Sequence, residues 1–214
     1  MRIGIERVGL GLVVLATVGL LGCGGSGGAD GNNDQGIVFR AVSFVKGPAS
    51  IDTDQIRCTE PTTQNAIIDS SFVIELDRTS FFPDENDPFG NPCGGYLALE
   101  NHLSTQAVNV QEIVVAYEIP GAGITPPENS ISFGLRINSA SSQDESSSGQ
   151  PNLAYAKLLG QMIPEQMISW LEVNRNNLPG EPYSMNAFFR AKGQSDSGTR
   201  YTSNEIGYQF TITR

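Results

Sequence analysis

Histidine is nearly missing from this chain: His102 is the single example in 214 residues. A serine–histidine–acid site would have to use it. His102 follows Asn101 at the predicted end of a strand, where a solvated turn is the ordinary place for such a residue. A zinc centre fares no better, because its cysteine and histidine ligands come in sets and no second ligand pair exists. Basic residues are scarce too. Lys and Arg total 13 against 23 Asp and Glu, a formal net charge of −10. Nucleic acid, whose phosphates need a basic footprint, is excluded as a partner. No glycine loop stands between a strand and a helix to cradle phosphate, and no spacing singles out one carboxylate pair among the acids. No metal or cofactor is expected. No apolar run reaches the roughly 20 residues needed to cross about 30 Å of hydrocarbon.

What is present begins at the amino terminus. Arg2 and Arg7 form a short basic region, and Val8 to Leu21 is apolar and uncharged. Small Gly22 then precedes Cys23. A positive start, a short apolar core and a small residue at the cut are the marks of an export signal over residues 1–22.

Leu20, Leu21, Gly22 and Cys23 resemble the lipobox of bacterial lipoproteins. The resemblance implies that the Cys23 thiol receives a diacylglyceryl group, that the peptide is cut before it, and that the new amino group is acylated. Two or three acyl chains give stable membrane attachment where one would be marginal. Gly24 stands where an aspartate would alter sorting, so the family pattern implies the outer membrane in a Gram-negative host. In any other host it implies the outer face of the plasma membrane.

Residues 23–36 read as the lipidated cysteine and a tether. Six of the thirteen residues from Gly24 to Gly36 are glycine, and most others are polar. Such a segment cannot bury enough apolar surface to offset its ordering entropy. As a flexible coil it spans about 20 Å. Gly24, Ser26 and Gly28 match a nucleophile elbow only formally, since that turn needs a strand before it and a helix after it. Asp30, Asn32 and Asp34 imitate a calcium loop, but Gln35 and Ala41 occupy the positions that require glycine and glutamate.

Loss of residues 1–22 removes Arg2, Arg7 and Glu6, leaving 11 basic and 22 acidic residues and a net charge of about −11. Residues 37–214 suffice for one domain with its own core. Two cysteines remain beyond Cys23. Cys58 and Cys93 are an even pair in an exported protein, most simply one disulfide. They are too far apart in sequence for a C-x-x-C redox pair. Closing that loop stabilises the fold by up to about 4 kcal/mol.

The body is written in period two. Ile131, Phe133, Leu135 and Ile137 alternate with polar residues or glycine, and so do Tyr208 to Ile212; Tyr183 to Ala191 and Phe72 to Leu76 keep the same period with Phe188 and Val73 on the other phase. One buried face and one wet face are what an antiparallel sheet requires. Val38 to Val45 and Tyr96 to Leu103 are further strands. Val108 to Ile119 is the longest, and its parity slips at Gln111 and Glu112, which predicts a bulge. Turn signals run from Pro120 to Gly123, Thr125 to Asn129, Ser139 to Gly149 and Gly193 to Gly198. The expected fold is all-β, an antiparallel sandwich of about seven strands. Leu153 to Val173 resists this pattern. A short helix near residues 163–171, with Ile163, Met167, Trp170 and Leu171 on one face, competes with a strand from Met167 to Val173. Trp170 is expected to plug the core.

Tyr183 to Lys192, a polar turn, and Tyr208 to Thr213 resemble the last hairpin of immunoglobulin-like and fibronectin-type-III-like modules. The resemblance implies an immunoglobulin-like sandwich. The cysteine–tryptophan–cysteine spacing of antibody domains is absent, since Trp170 lies outside the Cys58–Cys93 interval.

One cluster suggests a recognition loop. Phe81, Phe82 and Phe89 sit among Asp84, Glu85 and Asp87, ahead of Cys93. Loops held by a rigid scaffold concentrate binding residues; equally, the phenylalanines could cover the disulfide and close one end of the sandwich. A calcium site at Asp84 and Asp87 is a weaker alternative. Together these readings anticipate a membrane-anchored lipoprotein of the cell envelope, a non-catalytic binding or structural module with a protein or glycan partner. The competing expectation is an envelope hydrolase or carbohydrate-handling protein of β-sandwich form.

Overall fold

The alternating runs fold as strands with their apolar phase turned inward, in a computed structural model that describes residues 36–52, 55–69, 71–75, 93–140, 152–158 and 161–213. Strand β10 (Tyr183–Ser195) shows the rule. Tyr183, Met185, Ala187, Phe189 and Ala191 are buried, while Ser184, Asn186, Phe188 and Arg190 face the other way and are half-buried. It pairs antiparallel with β7 (Val108–Glu118) on one side and β12 (Ile206–Thr213) on the other. Outside β7 lies β8 (Asn129–Ile137), and outside β12 lies β5 (Ser71–Glu75). Short β11 (Arg200–Thr202) extends the pairing of β10 beyond β12. These pairs are antiparallel save one: β5 runs parallel to β12. No hairpin joins those two strands, so their direction is not forced to alternate.

The second sheet is antiparallel and smaller. Its order is β4 (Ile67–Ile68), β1 (Phe39–Lys46), β6 (Tyr96–Asn101) and β9 (Asn152–Lys157). A separate hairpin pairs β2 (Ala49–Asp52) with β3 (Gln55–Cys58). The result is an all-β sandwich. Phe44 of the smaller sheet meets Phe189 and Tyr208 of the larger one edge-on, with ring centroids 4.8 Å apart in each case. Such edge-to-face pairs add about 0.5–1.5 kcal/mol beyond the area they bury.

The parity slip falls where the sequence predicts it. Val108 and Val110 are buried, then Ile113, Val115 and Tyr117. Gly193 pairs with Val110 and Lys192 with Glu112, which leaves Gln111 as the extra residue of a bulge. Gly193 continues β10 instead of opening the turn that the glycine suggests. A Cβ at this position would lie 2.7 Å from Val108 Cγ1, so only glycine lets the strands approach there.

The ambiguous stretch contains both a strand and a helix. Leu153 belongs to β9, which ends at Lys157, and α1 spans Glu165–Val173. This corrects the helical reading of residues 153–157 and the strand alternative for Met167 to Val173. Met167, Ile168 and Leu171 are buried together, which a period of 3.6 allows and a period of two does not. Pro164 stands at the helix start, where its missing N–H costs nothing, and its carbonyl accepts from the Met167 and Ile168 amides. Trp170 is half-buried against the core rather than plugging it. Among the described residues no helix is long and apolar enough to cross a membrane.

The registers define two poles. Phe39 pairs with Asn101, Val108 pairs with Ile137 and Ser195, and the Asn101 amide donates to the Ile137 carbonyl at 3.3 Å. These residues mark the near pole, where the described chain enters β1. Lys46, Tyr96, Glu118, Asn129, Tyr183 and Glu75 lie at the opposite strand ends, the far pole.

Candidate functional site

At the far pole the start of β8 and the start of α1 face each other across a groove of about 430 Å³. One wall is Asn129 and Ser130, with Ile131 at its base; the other is Gln161, Pro164, Glu165 and Gln166. Burial explains why these polar side chains point outward. Met167, Ile168 and Leu171 fix the inner stripe of α1, which leaves Glu165 and Gln166 exposed. Ile131 begins the buried phase of β8, so Ser130 must face solvent.

Both walls are braced from beneath. The Tyr117 hydroxyl donates to the Met162 carbonyl at 2.8 Å and shares a hydrogen bond with the Asn129 side chain. Burial pushes its pKa well up, partly offset by Asn129, so the group stays a proton donor across the ordinary pH range. On the outer side the Ser130 hydroxyl donates to Glu112, whose carboxylate also meets Lys192 at 3.0 Å. Ser130 first, then Lys192, hold the Glu112 carboxyl below its usual range. Among the described residues Glu165 is the one ionisable side chain lining the groove.

Of the residues anticipated from sequence, Cys58 and Cys93 are brought to disulfide distance, with Cα atoms 5.1 Å apart. The bridge ties the end of β3 to the approach to β6. His102 sits just past β6, as anticipated; its amide donates to the Val38 carbonyl at 2.8 Å and its Nε2 meets Glu100 at 3.0 Å. Among the described residues no serine, threonine or cysteine is bonded to that pair. Cys23, Phe81, Phe82 and Phe89 lie outside the described residues, as do Asp84 and Asp87. Among the described residues no three His, Cys, Asp or Glu side chains are grouped to hold a metal ion.

Three buried polar groups escaped the sequence reading. Asn101 is fully buried; its amide donates to the carbonyls of Gln106, Ile137 and Asn138, and its oxygen accepts from the Leu103 amide. It stitches the near pole together. Asp69 is buried where the chain passes from β4 to β5, and Tyr208 donates to it at 3.0 Å. The Tyr183 hydroxyl is buried without a hydrogen-bond partner among the described residues, and burial first, then Glu181, pushes it up to about 12. Each lies on an otherwise apolar phase or in a connection, and the bonds of Asn101 to Ile137 and Asn138 and of Asp69 to Tyr208 cross long stretches of sequence. Set against known protein families and against curated proteins, the chain matches none.

Proposed function

We propose that this is a lipoprotein of the cell envelope, held by acyl chains on Cys23, whose immunoglobulin-like sandwich serves as a non-catalytic binding module. One observation carries the reading: the groove lies at the far pole, opposite the strand end where the chain enters β1. A body tethered through that entrance presents its groove away from the bilayer. The long pairing of β10 with β12 supports the immunoglobulin-like assignment. Ionisable side chains serve structure in this reading. Arg136 with Asp196, Lys192 with Glu112 and Arg190 with Glu205 join neighbouring segments of the larger sheet and its connections. Exposed pairs of this kind fix geometry more than they stabilise.

Carbohydrate handling by hydrolysis is the second reading, favoured by the groove's polar walls. Two carboxyl groups about 5–10 Å apart would be needed to cleave a glycosidic bond, and among the described residues Glu165 is the one carboxylate lining this groove. The anchoring half is tested by fractionation. Wild-type chain is expected to sediment with membranes and to incorporate labelled palmitate, while Cys23→Ser appears in the soluble fraction with unchanged melting. Membrane retention of the Cys23→Ser protein would overturn the proposal.

A further inference from the structure

We infer that the groove between β8 and α1 binds a neutral, hydroxyl-rich ligand, a saccharide unit of a glycan. This deepens the binding-module reading and rests on it. Three observations carry it. First, the donor set is made of carboxamides: Asn129, Gln161 and Gln166 stand on both walls, while the Ser130 hydroxyl, which donates to Glu112, is left as an acceptor. A carboxamide offers donors and an acceptor in one plane, the pattern that neighbouring sugar hydroxyls complement. Second, the charge fits a neutral ligand. Among the described residues no Lys, Arg or His lines the groove, and the net charge of the chain is −10. An anionic ligand would meet Glu165 without a compensating cation. Glu165 can instead accept from hydroxyls, a charge-assisted bond stronger than a neutral one.

Third, the walls are preformed. The Tyr117 hydroxyl fixes the Met162 carbonyl, one residue past Gln161, and reaches Asn129 on the opposite wall. A wall whose backbone is fixed before binding loses less freedom when the ligand arrives. The volume of about 430 Å³ lies within the roughly 300–1,000 Å³ of small-molecule sites. Ile131 and Pro164 give the groove an apolar patch against which the C–H face of a sugar ring can pack.

The test uses the full chain, extracted in mild detergent, titrated with defined neutral oligosaccharides: maltotriose, cellotriose and an N-acetylglucosamine trimer. Polygalacturonate fragments serve as the acidic comparison. Binding of at least one neutral trimer is expected, with the acidic sugar at least tenfold weaker. The Gln161→Ala/Gln166→Ala double variant, which alters two exposed side chains, is expected to melt normally and to bind at least tenfold more weakly. Failure of every neutral trimer to bind, or undiminished affinity in the double variant, overturns the inference. Stronger binding of the acidic sugar also overturns it. The membrane fractionation of Cys23→Ser is independent of this titration, so a negative sugar result leaves the anchoring proposal standing and the converse also holds.

Discussion

Asp69 and Tyr208 make a buried polar contact at the edge of the core. Asp69 is only 8% exposed, and burial raises its carboxyl above the usual value. Three influences pull it back: the Tyr208 hydroxyl, then the charge of Lys46, then the Gly95 backbone. An acid whose folded pKa is raised contributes stability that is fully present below its ordinary value of 3.8 and is lost as the pH rises through the folded value. Tyr208→Phe removes the largest lowering influence and widens that window upward. The variant is expected to lose about 1.5–3 kcal/mol at pH 7, the range for a hydrogen bond to a charged group. At pH 3, below the ordinary value of 3.8, a carboxyl raised above that value is protonated, and the loss is expected to be smaller. Urea unfolding at the two pH values checks this, and equal deficits would show that the hydroxyl does not serve the carboxylate. Nothing in the sequence marked this pair. Asp69 and Tyr208 are 139 residues apart, and a tyrosine on the buried phase of a strand looks like any core aromatic.

Among the elements, the β2–β3 hairpin depends most on its attachments. It pairs with neither sheet, and an isolated two-stranded hairpin is marginal in water. It is held by the Cys58–Cys93 bridge and by the Gly47 amide donating to the Cys93 carbonyl at 2.9 Å, and its base is closely packed where Gly47 meets Thr59. A Cβ at Gly47 would lie 1.8 Å from the Thr59 carbonyl oxygen, so backbone must move to admit it. Gly47→Ala is expected to cost about 3 kcal/mol, the upper part of the range for overpacking. For a domain of this size that lowers the melting temperature by about 6–12 °C. Gly134→Ala on β8 is the contrast, because a Cβ there meets nothing within 4 Å; its melting should be unchanged or slightly raised. Equal melting of the two variants would mean that Gly47 is not tightly enclosed. The long strands β7, β8, β10 and β12 were legible because each has one apolar face and one wet face. Even the bulge at Gln111 was legible, since a phase slip leaves a written trace. The short strands were not. Two residues cannot display a period in β4, and in β9 Leu153 to Tyr155 are all half-buried, so no contrast survives between the faces. Length, pairing and burial of such strands are set by the sheet that receives them.

At the scale of the whole molecule, the separation of near and far poles is the property that matters most. It was not legible in the sequence. The groove joins β8 to the start of α1, and only the fold sets Asn129 across from Gln161 and Glu165. The three carboxamides read singly as ordinary surface residues. The proposed tether, by contrast, is read from composition, and a coil of its length would reach about 20 Å. If the body is held on so short a leash, it should show its near pole to the bilayer and its far pole to the surroundings. Single cysteines can report this: Ser197→Cys beside the near pole, where Ser197 donates to Gln106, and Gln166→Cys on the rim of the groove. In intact membranes a bulky maleimide is expected to label Gln166→Cys several-fold faster than Ser197→Cys. Deleting residues 26–34 leaves about four tether residues and shortens the reach to about 11 Å. The deletion should therefore slow the near-pole site further and leave the far-pole site unaffected. Adding Cys23→Ser to either variant frees the body, so the two rates should converge in the soluble fraction. Equal rates in membranes, with or without the deletion, would mean that the body has no preferred orientation. The groove would then gain nothing from standing opposite the tether.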